Sequence, residues 1–203
     1  MLEQNGARPA DGGERGGAVL EALARRRSAA RVDPDAPVSR EAIERALELA
    51  ALAPNHRLTQ PWRFTVVTGS ARQRVGQALA AEGVALGRTA PERAAFEAAK
   101  WLRAPAVVVV AQHAAEDPIT LLEDRLAVGA AVENLLLALD AQGLAAMWRT
   151  GASAGSPAVK EALGLDPADE VAAIVYVGRP LPDAPLPPRR RKLAGELTRW
   201  LDR

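Results

Sequence analysis

Four consecutive valines occupy positions 107–110, within the segment Ala106 to Ala111, and they limit the possible folds more than any other feature of the chain. β-Branched side chains favour strands, and a run without alternation leaves no polar face for water. The pattern predicts a strand buried on both faces. Phe64 to Thr68, ending at Gly69-Ser70, reads as a second strand, and Val171 to Val177, closed by Gly178, as another. Leu144 to Arg149 makes about four central strands.

Helical periodicity fills the intervals. Leu20, Leu23 and Ala24 give a short helix over Ala18 to Arg27. Ser39 is placed to cap a second helix, with Ile43, Ala46, Leu47 and Ala50 on one face and Pro54 as its stop. Ala71 to Ala81 and Pro91 to Leu102 are also helical. Asp117-Pro118 has the form of an N-cap and first-turn proline, opening a long helix to about Gln142 with Gly143 beyond it. Its polar residues Arg125, Glu133 and Asp140 form a narrow stripe, so most of its girth belongs in a core or a subunit interface. Ser156-Pro157 opens a last short helix ending at Gly164.

The 203 residues suit a single α+β domain, and 48% hydrophobic against 25% charged residues excludes wholesale disorder. Residues 1–17 hold five glycines and no apolar run after Leu2, so they read as a disordered leader without a secretory signal core. The domain covers 18–203. From about 181 it continues as an extended tail, because Leu181 to Pro188 contains four prolines. Twenty-six basic and 25 acidic residues give a net charge of +1, without the concentrated basic face that nucleic acid or a membrane surface requires. The longest apolar stretch is broken by Glu133, Asn134 and Asp140, short of a membrane span. The chain has no cysteine, which excludes disulfides, thiolate chemistry and Cys-ligated metal, and is compatible with a reducing cytoplasm. Only two histidines are present, well separated, so no metal site is expected.

Ser28 and Ser153 lie outside any Gly-x-Ser-x-Gly elbow, and neither a phosphate-binding Gly-Lys loop nor a Gly-x-Gly-x-x-Gly fingerprint occurs. Hydrolase, nucleoside-triphosphatase and Rossmann readings fall together. Three polar groups remain. Arg25-Arg26-Arg27-Ser28 reads first as a basic helix end, or else as a phosphate clamp of guanidinium forks and a hydroxyl. His56 and Gln60 sit in a polar loop before Trp62. Either that loop only connects, or its donors and acceptors face a planar heterocycle. Trp148-Arg149-Thr150-Gly151 ends a strand, for packing or for binding.

Taken in order, these segments resemble the flavin-dependent nitroreductase family. The resemblance rests on Arg26-Arg27-Ser28, on Ala53-Pro-Asn-His-Arg-Leu-Thr-Gln-Pro-Trp62 running into Arg63-Phe64, and on Arg103-Ala104-Pro105. It rests also on the long helix Gly129 to Leu144 and on the Trp-Arg-Thr-Gly turn, which together are most similar to a short bacterial subgroup of NAD(P)H nitroreductases. It spans about Leu20 to Pro180.

The resemblance implies a three-layer α/β/α fold. Its central sheet would be mixed and mostly antiparallel, of about four strands plus one from the partner subunit. It further implies an FMN enzyme and a homodimer with flavin sites at the subunit interface. Hydride would pass from NAD(P)H through the flavin to a nitroaromatic, quinone or similar acceptor in ping-pong order. Carried over by position, Arg26, Arg27 and Ser28 hold the phosphate and ribityl chain. His56 and Gln60 approach from the partner, Trp148, Arg149 and Thr150 complete the pocket, and Arg189 or Arg190 adds a cation. No protein nucleophile is required, and Arg149 and His56 are the candidates for electrostatic tuning. A flavin storage or sensor protein without NAD(P)H turnover is the alternative, and flavin chemistry other than reduction is a further one.

Overall fold

A computed structural model describes residues 13–184, 188 and 190–202. Helix α1 (Gly13–Arg25) leads into β1 (Val32–Asp33) and α2 (Arg40–Ala50). Then follow β2 (Trp62–Thr68), α3 (Gly69–Ala85), α4 (Ala94–Ala99), β3 (Ala106–Gln112) and α5 (Pro118–Ala141). The chain closes with β4 (Ala145–Arg149), α6 (Pro157–Leu163) and β5 (Glu170–Pro180). α1 begins earlier than its apolar spacing suggests and takes in residues 13–17, which composition had assigned to the leader. Residues 1–12 lie outside the described set, as do residues 185–187 within the stretch for which an extended path was expected, 181–188.

Every residue of β3 is buried, as the valines require. Their twofold alternation divides them between two cores. Val108 and Val110 pack with Ile43 and Ala46 of α2 and Val128, Val132 and Leu135 of α5. Val107 and Val109 point the other way, among Val75 of α3, Val159 of α6 and Trp101. Two helical layers therefore enclose one sheet, the three-layer α/β/α arrangement. At roughly 1.5–3 kcal/mol per fully buried side chain, the four valines are a principal source of its stability.

β3 lies between β2 and β5, and the long β5 carries β4 along residues 174–178 and β1 at 179–180 on its other side. Four substantial strands thus match the expected number, and the two-residue β1 is added at the edge. Every pairing among the described residues is antiparallel, so none of them forms the parallel pair that a mixed sheet needs. Between β3 and β5 the register shifts at Val110/Ala111, which leaves Ala172 as an extra residue in a β-bulge. Gly178 allows β1 to close on β5, since a Cβ there would lie 2.7 Å from the Val32 side chain.

The helix starts follow the local signals. The side chains of Ser39, Asp117 and Ser156 each accept a backbone N–H at the start of α2, α5 and α6. The last two turns of α5 are buried through Leu135, Leu136 and Leu139, whereas its first turns leave Ile119, Leu122 and Leu126 uncovered. No helix among the described residues is long and apolar enough to cross a membrane.

Candidate functional site

Three arginines end α1 where it packs against α5. The Arg25 Nη2 lies 2.7 Å from Asp140 Oδ2, and the Arg26 Nε lies 3.4 Å from Glu133 Oε1. Arg27 turns back instead: its Nη1 donates to the carbonyls of Ala24, Arg25 and Arg26 at 2.8–3.1 Å. It thereby satisfies carbonyls that a helix C-terminus leaves open, which is the helix-end reading of this group. Glu133 and Asp140, two members of the polar stripe on α5, are the residues that receive α1. Ser28 is exposed, and Ala29 N–H donates to Ala146 O at 3.1 Å, fastening the segment to β4. A cavity of about 240 Å³ opens among Arg25, Arg26, Arg27, Leu136, Ala145 and Pro180.

The β4 terminus lies beside this corner. Alternation puts Met147 and Arg149 on one face, where they surround a small void with Ala29, Ala30, Arg103 and Tyr176. Burial raises the Tyr176 hydroxyl above its ordinary value, and the Arg149 and Arg103 charges oppose that shift. Trp148 points to the opposite face and donates Nε1–H to Ala172 O at 3.2 Å. Arg149 and Thr150 are exposed.

The loop after α2 is unusual. Arg57, Leu58 and Gln60 have φ of 57°, 51° and 46°, and they are the only non-glycine residues with positive φ among those described. Such conformations cost of the order of 1–3 kcal/mol each and persist only where surrounding contacts hold them. Here Gln60 N–H donates to Asn55 Oδ1 at 2.6 Å, and Asn55 and Thr59 hydrogen-bond side chain to side chain. His56 Nδ1 lies 2.8 Å from Glu123 Oε2, and the Thr59 hydroxyl donates to Asp124 Oδ1 at 2.5 Å. Gln60 itself is exposed and Trp62 is core. His113, read from sequence as a plain loop residue, bonds Asp169 at 2.9 Å through Nδ1 and gives its backbone N–H to Pro61 O.

The fold thus unites two of the three groups. Arg26, Arg27 and Ser28 adjoin Trp148, Arg149 and Thr150 through the Ala29–Ala146 bond. His56 and Gln60 sit by the opposite part of α5. Their anchor Glu123 precedes Glu133 by ten residues, roughly 15 Å at helical rise. Arg189 lies outside the described residues, and Arg190 is exposed. Glu123, Asp124 and Tyr176 were not candidates from sequence. The only available signal was a pair of adjacent acids near the start of a largely apolar helix, beside its polar stripe.

Three guanidinium groups around an open cavity, outnumbering the one carboxylate in its wall, Asp140, fit a phosphate-bearing ligand. The 240 Å³ of that cavity falls below the ~300–1,000 Å³ of ordinary small-molecule sites, so the rest of such a ligand must extend beyond it. No group of three potential metal ligands occurs among the described residues.

The chain is 34% identical over 164 residues to "Putative NAD(P)H nitroreductase YdjA" of Escherichia coli K12, covering 80% of this chain and 88% of that protein. A solved nitroreductase-like family protein from Bacillus cereus superposes with a TM-score of 0.79 at 23% identity, covering 91% and 96% of the two chains, and so shares the fold. NfnB from a Sphigopyxis strain, described as an FMN- and NADPH-dependent nitroreductase, superposes with a TM-score of 0.72 at 25% identity, over 90% and 98% of the two chains. The nitroreductase family model matches residues 23–179, from the end of α1 through nearly all of β5. On that match and that identity, the chain belongs to the nitroreductase family.

Proposed function

We propose that the chain is an FMN-dependent oxidoreductase that takes a hydride from NAD(P)H and passes it to a nitroaromatic, quinone or similar acceptor. The observation that carries this reading is the junction of the arginine corner with the β4 terminus through Ala29 and Ala146. It sets a cationic cavity beside an exposed Arg149-Thr150 strand end, as a ligand with a phosphate at one end and a polar ring at the other requires.

In this reading Arg26, Arg27 and Ser28 hold the phosphate, with Arg189 or Arg190 supplying a further cation. Trp148, Arg149 and Thr150 line the ring. Bound FMN supplies two-electron transfer between nicotinamide and acceptor, which visit one open face in turn. Arg149 places positive charge near the ring, and its guanidinium has no carboxylate partner among the described residues. An ionised Glu123 can only accept, so the Nδ1 of His56 carries a proton toward it and leaves Nε2 as the outward ring atom. His56 and Gln60 reach the flavin of the opposite subunit, because their own arginine corner lies along α5.

A homodimer suits the exposed surface. Ile119, Leu122 and Leu126 are 66%, 58% and 69% exposed, with Leu52 and Leu58 also bare. Such a face on a long central helix asks for a second copy. Leu193, Leu197, Trp200 and Leu201 are exposed as well. The outer edge of β2 has no strand beside it among the described residues and borders a groove of about 500 Å³, where a partner strand would complete the sheet.

The purified protein should be yellow, and anaerobic NADH or NADPH should bleach its visible flavin band. A colourless protein that also fails to bind added FMN would overturn the proposal.

A further inference from the structure

The loop that carries His56 and Gln60 is the most strained segment of the described chain, yet its own hydrogen bonds join only Asn55, Thr59 and Gln60 to one another. Its flanks are tied by Arg63 Nη1 to Gln60 O at 3.1 Å and by His113 N–H to Pro61 O at 2.7 Å. The His56–Glu123 contact is made between partly exposed groups in solvent. One bond differs from these. Thr59 donates its hydroxyl to Asp124, a carboxylate only 4% exposed that has no cation partner among the described residues.

A buried carboxylate without a cation needs every hydrogen bond it can obtain. Thr59 lies between two left-handed residues, Leu58 and Gln60, so the bond acts at the centre of the strain. Asp124 in turn stands on α5 one residue after Glu123, and its own side chain is buried on the inner side of the helix, where the packed run that continues through Ala127 and Val128 begins. A charged hydrogen bond anchored in a rigid helix can hold a loop in a conformation that the loop's own sequence does not favour.

We infer that Asp124, acting through the Thr59 hydroxyl, is a positioning residue that latches the strained 56–60 loop and so presents His56 and Gln60 to the flavin of the opposite subunit. This rests on the flavin reading above for its second half only. Asp124 does not touch the ligand. It keeps the two residues that do in register with the subunit interface.

The test uses the full-length protein with and without FMN. Thr59→Val removes the donor at nearly constant volume, but it also removes the Asn55 contact and strands a buried carboxylate; Asp124→Leu alone keeps Thr59 with Asn55 and should accelerate exchange at Gln60 as well. The double variant Thr59→Val with Asp124→Leu replaces both partners by apolar groups of similar shape. Thr59→Ser is the conservative rescue. In flavin-free protein, amide exchange at Gln60 should accelerate about tenfold in the double variant while Val108 in β3 stays protected. The FMN dissociation constant, followed by flavin fluorescence, should rise by about the same factor, and Thr59→Ser should restore both. Unchanged exchange at Gln60 would overturn the latch and leave the flavin reading standing. Faster exchange with an unchanged FMN dissociation constant would overturn the positioning role, and would locate the error in the assignment of this loop to the flavin.

Discussion

The indole of Trp148 donates its Nε1–H to the carbonyl of Ala172 at 3.2 Å, and Ala172 is the extra residue at which the β3–β5 register shifts. A bulge takes a residue out of the regular ladder and needs another partner for its polar groups. Trp148 supplies one from the neighbouring strand, so the end of β4 is held in place by an irregularity in β5.

Trp148→Phe keeps an aromatic ring and removes the donor, together with the surface of the indole's second ring. The loss should be about 1 kcal/mol, which lowers the melting temperature by roughly 2–4 °C in a chain of this size. Thermal denaturation of the two proteins checks this, and identical melting curves would show that the bond contributes nothing.

Arg27→Ala should weaken FMN retention by about tenfold or more, since a hydrogen bond to a charged group contributes ~1.5–3 kcal/mol. Arg27 also caps α1, so circular dichroism should be read beside the flavin titration. Lost helicity with unchanged FMN affinity would leave only the capping role.

Tyr176 is the one tyrosine of the chain, and burial raises its hydroxyl above the ordinary 10.0 while Arg149 and Arg103 act against the shift. As pH climbs past 10.0 the unfolded chain releases this proton before the folded one does. The unfolded state then binds fewer protons, and stability falls with rising pH. Below 10.0 the contribution is intact. Urea unfolding on either side of pH 10.0 should therefore show a steeper alkaline loss for the parent than for Tyr176→Phe, and the phenolate absorbance should appear late in the folded protein. A single ordinary titration would contradict the shift.

Leu122→Glu puts a charge in the middle of the bare face formed by Ile119, Leu122 and Leu126. If that face joins two copies, sedimentation should show the balance moving from dimer to monomer, with flavin lost in parallel. A monomer fully loaded with FMN would contradict a shared site.

Much of this architecture is determined by the sequence alone, because the signals are local. Four valines demand cover on both faces, Ser39, Asp117 and Ser156 start helices with their own side chains, and Gly143 and Gly164 end them with φ near +70°. The ordered motifs also identify the family, whose model spans 23–179. The tertiary structure alone decided which polar residues meet. Glu123 and Asp124 lie 67 and 65 residues from His56 and Thr59, and Arg25 reaches Asp140 across 115. No periodicity relates positions that far apart. They become neighbours only when α1 and the 56–60 loop settle on opposite parts of α5, and the buried faces of all the elements together determine that placement.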